Sequence, residues 1–230
     1  MDEIIHIAGQ IENCYVVKGD HCYLVDTGVP KARKRIDKAL QEHGLKPQDL
    51  THILITHCHF DHVGCLADLK RESGAKIVAG AADVPYIQGE KPPEIGSDLN
   101  RLGRFMRKLP KYMLMSYQKC EGAAVDISLG GGETLEELGL EVITLPGHTP
   151  GGIGYLDRAN RRAFVGDMVS NFFGRIRPPT ISYSYSLEEI ETSMRRLVEL
   201  DLDYMYPGHG RVIGPGASRL VAEYVKRKFG

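Results

Sequence analysis

The heptapeptide Thr56-His57-Cys58-His59-Phe60-Asp61-His62, directly after the apolar run Ile53-Leu54-Ile55, constrains this chain more than any other stretch. A short apolar run bounded by polar residues is what a buried strand looks like in sequence. In extended backbone alternate side chains point the same way, so His57 and His59 face one site together and Cys58 turns away into packing. Asp61 and His62 fall where the chain turns into the next helix, so both can point back. Lone histidines are usually structural. Three imidazoles and a carboxylate within six residues are more than packing requires, and imidazole suits Zn, Cu, Fe and Ni.

Three further candidates occupy equivalent settings downstream. His148 lies in Leu145-Pro-Gly-His-Thr-Pro-Gly151, Asp167 in Phe164-Val-Gly-Asp-Met168, and His209 in Tyr206-Pro-Gly-His-Gly210. Each closes an apolar segment and follows a glycine, which lets the backbone bend tightly. Loops at strand ends are where sites are commonly built. His6, His21, His43 and His52 lack that setting and read as surface or packing residues.

Around these motifs, strand and helix signals alternate. Ile4–Ile7, Cys14–Val17, Cys22–Val25, Ile53–Ile55, Lys76–Ala79 and Leu140–Leu145 read as strands. Gly152–Leu156 and Arg162–Val165 read as a hairpin across the turn-forming Asp157–Asn160. Helices are expected from Pro30 to His43, over Val63–Arg71, over Leu187–Leu200 with a capping box from Ser186 to Glu189, and over Ala217–Lys228. With no repeat or linker, residues 1–230 are expected to form a single domain of sheets covered by helices. The stretch at about 88–119 departs from this rhythm. It is basic, with Leu99, Leu102, Phe105, Met106 and Leu109 at helical spacing before Pro110, and reads as an amphipathic insertion. It suits a core cover, a substrate lid or a homodimer contact.

Composition narrows the partners. Lys plus Arg number 29 against 30 Asp plus Glu, a net charge of -1, so no nucleic-acid partner is expected. The five cysteines are odd in number and lack a CxxC pair, the start is acidic, and no run reaches the length of a membrane helix. The expectation is a cytoplasmic, reduced protein without a membrane anchor, acting on a small molecule.

The order HxHxDH, then His, Asp and His, resembles the signature of the metallo-β-lactamase superfamily, and Leu24-Val-Asp-Thr-Gly28 looks like that family's early strand-to-loop motif. The resemblance implies an α+β fold, an αβ/βα four-layer sandwich of two mixed β-sheets flanked by helices. It implies two divalent metal ions, zinc first, with iron or manganese as other occupants. His57, His59 and His148 would bind one, Asp61, His62 and His209 the other, and Asp167 would bridge them. Asp26, Thr56 and Thr149 would orient ligands from behind. A metal-bridging hydroxide would cleave a small ester, thioester, lactone or phosphodiester, with Asp61 as the catalytic proton carrier. A mononuclear iron persulfide dioxygenase of the same fold is the alternative. True β-lactamases of one subclass carry Cys where this chain has Asp167, and glyoxalase II has a helical C-terminal domain where only 21 residues follow His209. Lactonases of the family place Tyr three residues after the bridging Asp. Here that position is Ser170, and Tyr183, Tyr185 or Tyr204 would have to substitute. Asn171, Phe172, Phe173, Arg175 and Tyr183 are the expected substrate contacts.

Overall fold

The short apolar runs assemble into two sheets. In the computed structural model, which describes residues 2–92, 96–109 and 120–230, β1 (Glu3–Ala8), β2 (Asn13–Lys18), β3 (Cys22–Val25), β4 (His52–Leu54), β5 (Lys76–Gly80) and β6 (Ile127–Leu129) pair in chain order. The first three strands are antiparallel and β3 to β6 run parallel. Parallel neighbours need a crossover. The helices Arg33–Glu42 and Leu66–Ser73 supply it on either side of β4. β7 (Thr134–Leu135), β8 (Leu140–Thr144), β9 (Ile153–Asp157) and β10 (Arg162–Gly166) follow. Next come a separate hairpin, β11 (Ser170–Phe172) and β12 (Arg175–Arg177), and then β13 (Tyr204–Pro207). The second sheet is ordered β13-β10-β9-β8-β7, with β13 parallel to β10 and the rest antiparallel.

Three apolar clusters define the layers. Ile36, Leu40, Leu66 and Leu69 of the first two helices pack on Val16, Leu24, Ile53 and Ile77 of the first sheet. Met194, Leu197, Val221 and Val225, from the helices Leu187–Glu199 and Ala217–Phe229, pack on Leu156, Ala163, Val165 and Met205 of the second. Between the sheets lie Val17, Val25, Leu54 and Val78 from one side and Val142, Ile153, Tyr155 and Phe164 from the other. The order is therefore helix, sheet, sheet, helix, the four layers that the resemblance implies. Burying a sheet on both faces explains why β2 to β4 and β9 to β10 read as nearly unbroken apolar runs.

Local readings mostly land within a residue or two. Ser186 caps its helix, accepting from the Glu189 N–H at 3.2 Å. The helix expected over Val63–Arg71 is instead two, Phe60–Val63 and Leu66–Ser73. The backbone at the break is claimed by another loop. Thr27 N–H donates to the His62 carbonyl (2.7 Å) and Gly64 N–H to the Gly28 carbonyl (2.8 Å). A Cβ on Gly64 would collide with the Val29–Pro30 backbone, so only glycine permits that approach.

Within the insertion, the helix Arg101–Lys108 is capped by Asn100, whose side chain accepts from Gly103 N–H at 2.7 Å. Its expected apolar stripe does not face the core, because Leu102 and Phe105 stay 58% and 59% exposed. The segment docks through polar atoms instead. Ser97 Oγ donates to the Ile181 carbonyl (2.7 Å) and Asn100 Nδ2 to Ser182 Oγ (3.1 Å). Residues 93–95 and 110–119, the second of them the end of the expected insertion, lie outside the described residues. Among those described, no helix is long and apolar enough to cross a membrane.

Candidate metal centre

All seven residues singled out as ligands converge at one end of the two sheets. His57 and His59 follow β4, Asp61 and His62 sit on the turn of helix Phe60–Val63, His148 follows β8, Asp167 follows β10, and His209 follows β13. Three groups have donor atoms close enough to hold a cation. They are His57, His59 and His148, then Asp61, His62 and His209, and His57, His62 and Asp167 between them. His59 Nδ1 lies 3.0 Å from His148 Nε2. Asp167 Oδ2 is 4.0 Å from His57 Nε2, 3.4 Å from His148 Nε2 and 3.0 Å from His209 Nε2, while its Oδ1 is 3.3 Å from His62 Nε2. Asp61 Oδ2 reaches His209 Nε2 at 3.3 Å.

The glycine before each late ligand has a specific use. Gly147 and Gly166 adopt φ of 119° and 51°, the left-handed side that bends the chain back. Gly208 is needed for space, since a Cβ there would meet Asp167 Oδ1 and the His62 ring.

Hydrogen bonds from the residues behind them aim the rings. Asp26 Oδ1 accepts from Thr56 N–H, and its Oδ2 lies 2.8 Å from both Thr56 Oγ1 and His62 Nδ1. Thr56 Oγ1 is also 3.1 Å from His57 Nδ1. Asp26 and Thr56, for which an orienting role is expected, thus both contact candidate ligand rings. Thr149 Oγ1 donates to Asp83 Oδ2 at 2.7 Å. Three participants were not legible in the sequence. Asp83, fully buried, also accepts from Cys58 N–H (2.9 Å) and Gly151 N–H (2.8 Å). Ser184 Oγ lies 3.1 Å from His148 Nδ1. The Ile11 carbonyl meets His209 Nδ1 from a loop held by the buried Glu12, which pairs with Arg35. The only available clue to Asp83 was its place just past the apolar run Ile77–Ala79. Cys58 packs against the first-sheet core, as its alternation with the ligands requires.

The electrostatics suit cations. Burial, then neighbouring imidazoles, push His57 well below the usual imidazole range and His59 down to about 3, so both present neutral rings. Burial opposes a proton on His62 and His209, yet Asp167 and its companion carboxylates outweigh it. His62 is held well above the imidazole range and His209 at about 10. Burial would raise Asp167 and Asp61, but the same imidazoles draw both down, Asp167 strongly. The carboxylates thus demand positive charge, which protons or divalent cations can supply. Among the described residues His57 Nε2, His62 Nε2 and Asp167 Oδ1 are buried without a hydrogen-bond partner. Unpaired buried polar atoms are costly. Nitrogen and oxygen donors that converge on one place fit a metal.

A cavity of about 280 Å³ opens over these side chains. Phe172 and Tyr183 line it, whereas Asn171, Phe173 and Arg175 are not among its lining residues. The two-residue alternation of a strand accounts for this: Ser170 and Phe172 face the cavity, and Asn171 turns its amide to the Val212 carbonyl at 3.4 Å. Phe173 sits in the hairpin turn at φ 55°, 93% exposed. Arg175 lies exposed on the outer strand.

Residues 8–209 match the family model described as the metallo-beta-lactamase superfamily. A probable metallo-hydrolase of Methanocaldococcus jannaschii is 26% identical over 220 residues, covering 95% of each chain. A hydroxyacylglutathione hydrolase of Haemophilus influenzae is 28% identical over 212 residues, covering 90% of each. Among solved structures, a metallo-beta-lactamase family protein of Thermus thermophilus aligns with a TM-score of 0.76 at 22% identity, covering 98% of this chain and 78% of that one.

Proposed function

The chain is a metal-dependent hydrolase of the metallo-beta-lactamase superfamily, and from that premise we propose that it works with two divalent ions on a small ester, thioester, lactone or phosphodiester. His57, His59 and His148 would hold one ion and Asp61, His62 and His209 the other, with Asp167 available to both. The observation that carries this reading is the meeting of two donor clusters at the single carboxylate of Asp167. A complete second cluster favours two ions over the single iron of a dioxygenase. When bound, the ions supply Lewis acidity, polarising the substrate oxygen and lowering the pKa of a water to about 7. Zinc is the first choice, because histidine and carboxylate donors suit it. The same donors accommodate iron and manganese.

The protein's own groups do the rest. Asp61, drawn below the usual carboxylate range, is ionised at neutral pH, so its carboxylate is able to take a proton from the attacking water. The water oxygen bonds to the carbonyl carbon or phosphorus, the bond to the leaving oxygen or sulfur breaks, and Asp61 returns the proton to that leaving atom. Asp26, Thr56, Asp83 and Ser184 keep the imidazoles aimed while this happens. The relative named for hydroxyacylglutathione hydrolysis supports a thioester among the candidates. Five cysteines, odd in number and without a CxxC pair, support a reducing, cytoplasmic setting.

The test is a metal count on protein purified without chelator, with the same batch assayed on ester, thioester, lactone and bis-nitrophenyl phosphate panels. Close to two ions per chain, with turnover lost in Asp167→Ala and His57→Ala, is the expected result. One iron per chain with oxygen uptake on glutathione persulfide, or no bound metal after reconstitution, would overturn it.

A further inference from the structure

Resting on that hydrolase reading, we infer that the group carried on the scissile carbonyl is an uncharged apolar chain, received between Ile11, Phe172 and Tyr183. The cavity has two chemically distinct parts. Its lining combines five of the proposed ligands with the apolar wall of Ile11, Phe172, Pro178, Pro179 and Tyr183, and Ser170 and Thr180 add two hydroxyls. No lysine or arginine is among the described residues that line it. Arg175, the nearest expected cation by sequence, is exposed on β12 and is not among the lining residues. An anionic substrate arm would therefore lose its hydration at this wall without a cation in return.

The wall is also unusually wet for its chemistry. Ile11 is 54% exposed and Phe172 and Tyr183 39% each, all at one opening. Adjoining exposed apolar side chains on a soluble surface mark a binding site. Each is held in place before anything binds. Ile11 sits in the loop that Glu12 and His209 anchor, Phe172 in the β11–β12 ladder, and Tyr183 in a turn that Ser97 and Asn100 support. A preformed apolar wall binds without an ordering cost. Burial, then Asp61, raises the Tyr183 phenol, so it stays neutral beside the site. At about 280 Å³ the cavity lies just below the roughly 300–1,000 Å³ of sites for drug-sized ligands, which suits a short chain. Hydrolysis then forms the new bond from water oxygen to the acyl carbon, breaks the bond to the alcohol or thiol, and releases the apolar acid.

The test is a series of nitrophenyl esters, from acetate through butyrate to hexanoate, with the succinate monoester as the anionic arm, on metal-loaded protein. Full burial of a CH2 corresponds to about fourfold, and a half-exposed wall to about twofold, so hexanoate, longer by four CH2 groups, should exceed acetate roughly sixteenfold in kcat/KM. Ile11→Ser and Phe172→Ser should each shrink that ratio while metal per chain stays as loaded. Serine at position 11 keeps the backbone carbonyl that His209 meets. Acetate turnover with a flat series, or a preference for succinate, overturns the inference and leaves the hydrolase standing. Absence of turnover on every carbonyl substrate takes down the acyl-transfer reading and this inference together.

Discussion

Asp83 has no motif around it, yet its carboxylate joins the two loops that carry His57, His59 and His148. It takes Cys58 N–H from between the first pair, and Thr149 Oγ1 and Gly151 N–H from beside the third. Asparagine at this position has one acceptor atom in place of two and turns an amide donor towards another donor. Asp83→Asn should therefore weaken metal binding by about tenfold or more, as losses of such outer partners do, and cost about 1–3 kcal/mol of stability. Competition with a chromogenic chelator and urea denaturation read the two effects separately. Unchanged metal affinity would leave Asp83 a purely structural residue. The protonated pair makes a second residue-level prediction. His209 titrates at about 10 in the metal-free fold, against about 6.5 in an unfolded chain. A base raised in this way adds stability that is complete below the unfolded value and lost as pH rises through the folded one. Chelated protein should then lose stability between about pH 6.5 and 10. Asp61 and Asp167, held low, act in the opposite sense, and their contribution is lost as pH falls below the ordinary carboxylate range. Metal must displace the protons on His62 and His209, so its affinity should rise with pH. Denaturation midpoints of chelated protein at pH 7 and 9 test the first sign. A rise would contradict it.

At the scale of elements, the β1–β2 connection does more than join two strands. Glu12, 1% exposed, pairs with Arg35 of the helix Arg33–Glu42. Asn13 N–H donates to the Gly208 carbonyl (2.7 Å), and its Nδ2 to Pro207 and Gly210. A loop at the start of the chain thus presents Ile11's carbonyl to His209. Arg35→Ala leaves Glu12 buried without its cation. The expected cost is about 2–3 kcal/mol, below the 3–5 typical of fully buried pairs, because Arg35 is 34% exposed. If the loop positions His209, the variant should also lose affinity for its second metal before its first, with Arg35→Lys recovering part of it. Stepwise metal titration reads this directly. The insertion shows the limit of periodicity as a guide. Its 3.6-residue stripe correctly indicates a helix, but Leu102 and Phe105 remain in water and Ser97 and Asn100 make the contacts. A stripe specifies which face is apolar and leaves open what covers it.

For the whole molecule, the site depends on how the sheets stack. Four of the proposed ligands follow β4 of the first sheet, and three come from loops of the second. Tyr155 crosses between them, its OH donating to the Ile55 carbonyl at 2.8 Å, and Tyr15 OH donates to the Pro207 carbonyl at 2.7 Å. Phe164, 1% exposed, fills the space between the sheets. Phe164→Ala should cost about 3–5 kcal/mol and lower affinity at both metal clusters together, in contrast to the selective loss expected for Arg35. Thermal melts with and without metal distinguish these patterns. The sequence by itself determined the types of the candidate ligands, their order and most strands and helices. Those signals reside in adjacent residues, in the HxHxDH spacing, the glycine-flanked strand ends and the apolar runs. The grouping of the imidazoles and the place of Asp167 between them came with the family resemblance; only the tertiary structure decided that Asp83, Ser184 and Ile11 take part. Thr149 and Asp83 are 66 positions apart, and His209 and Ile11 are 198 apart. No periodicity encodes contacts over such separations, because they arise when two independently patterned sheets bury their shared face.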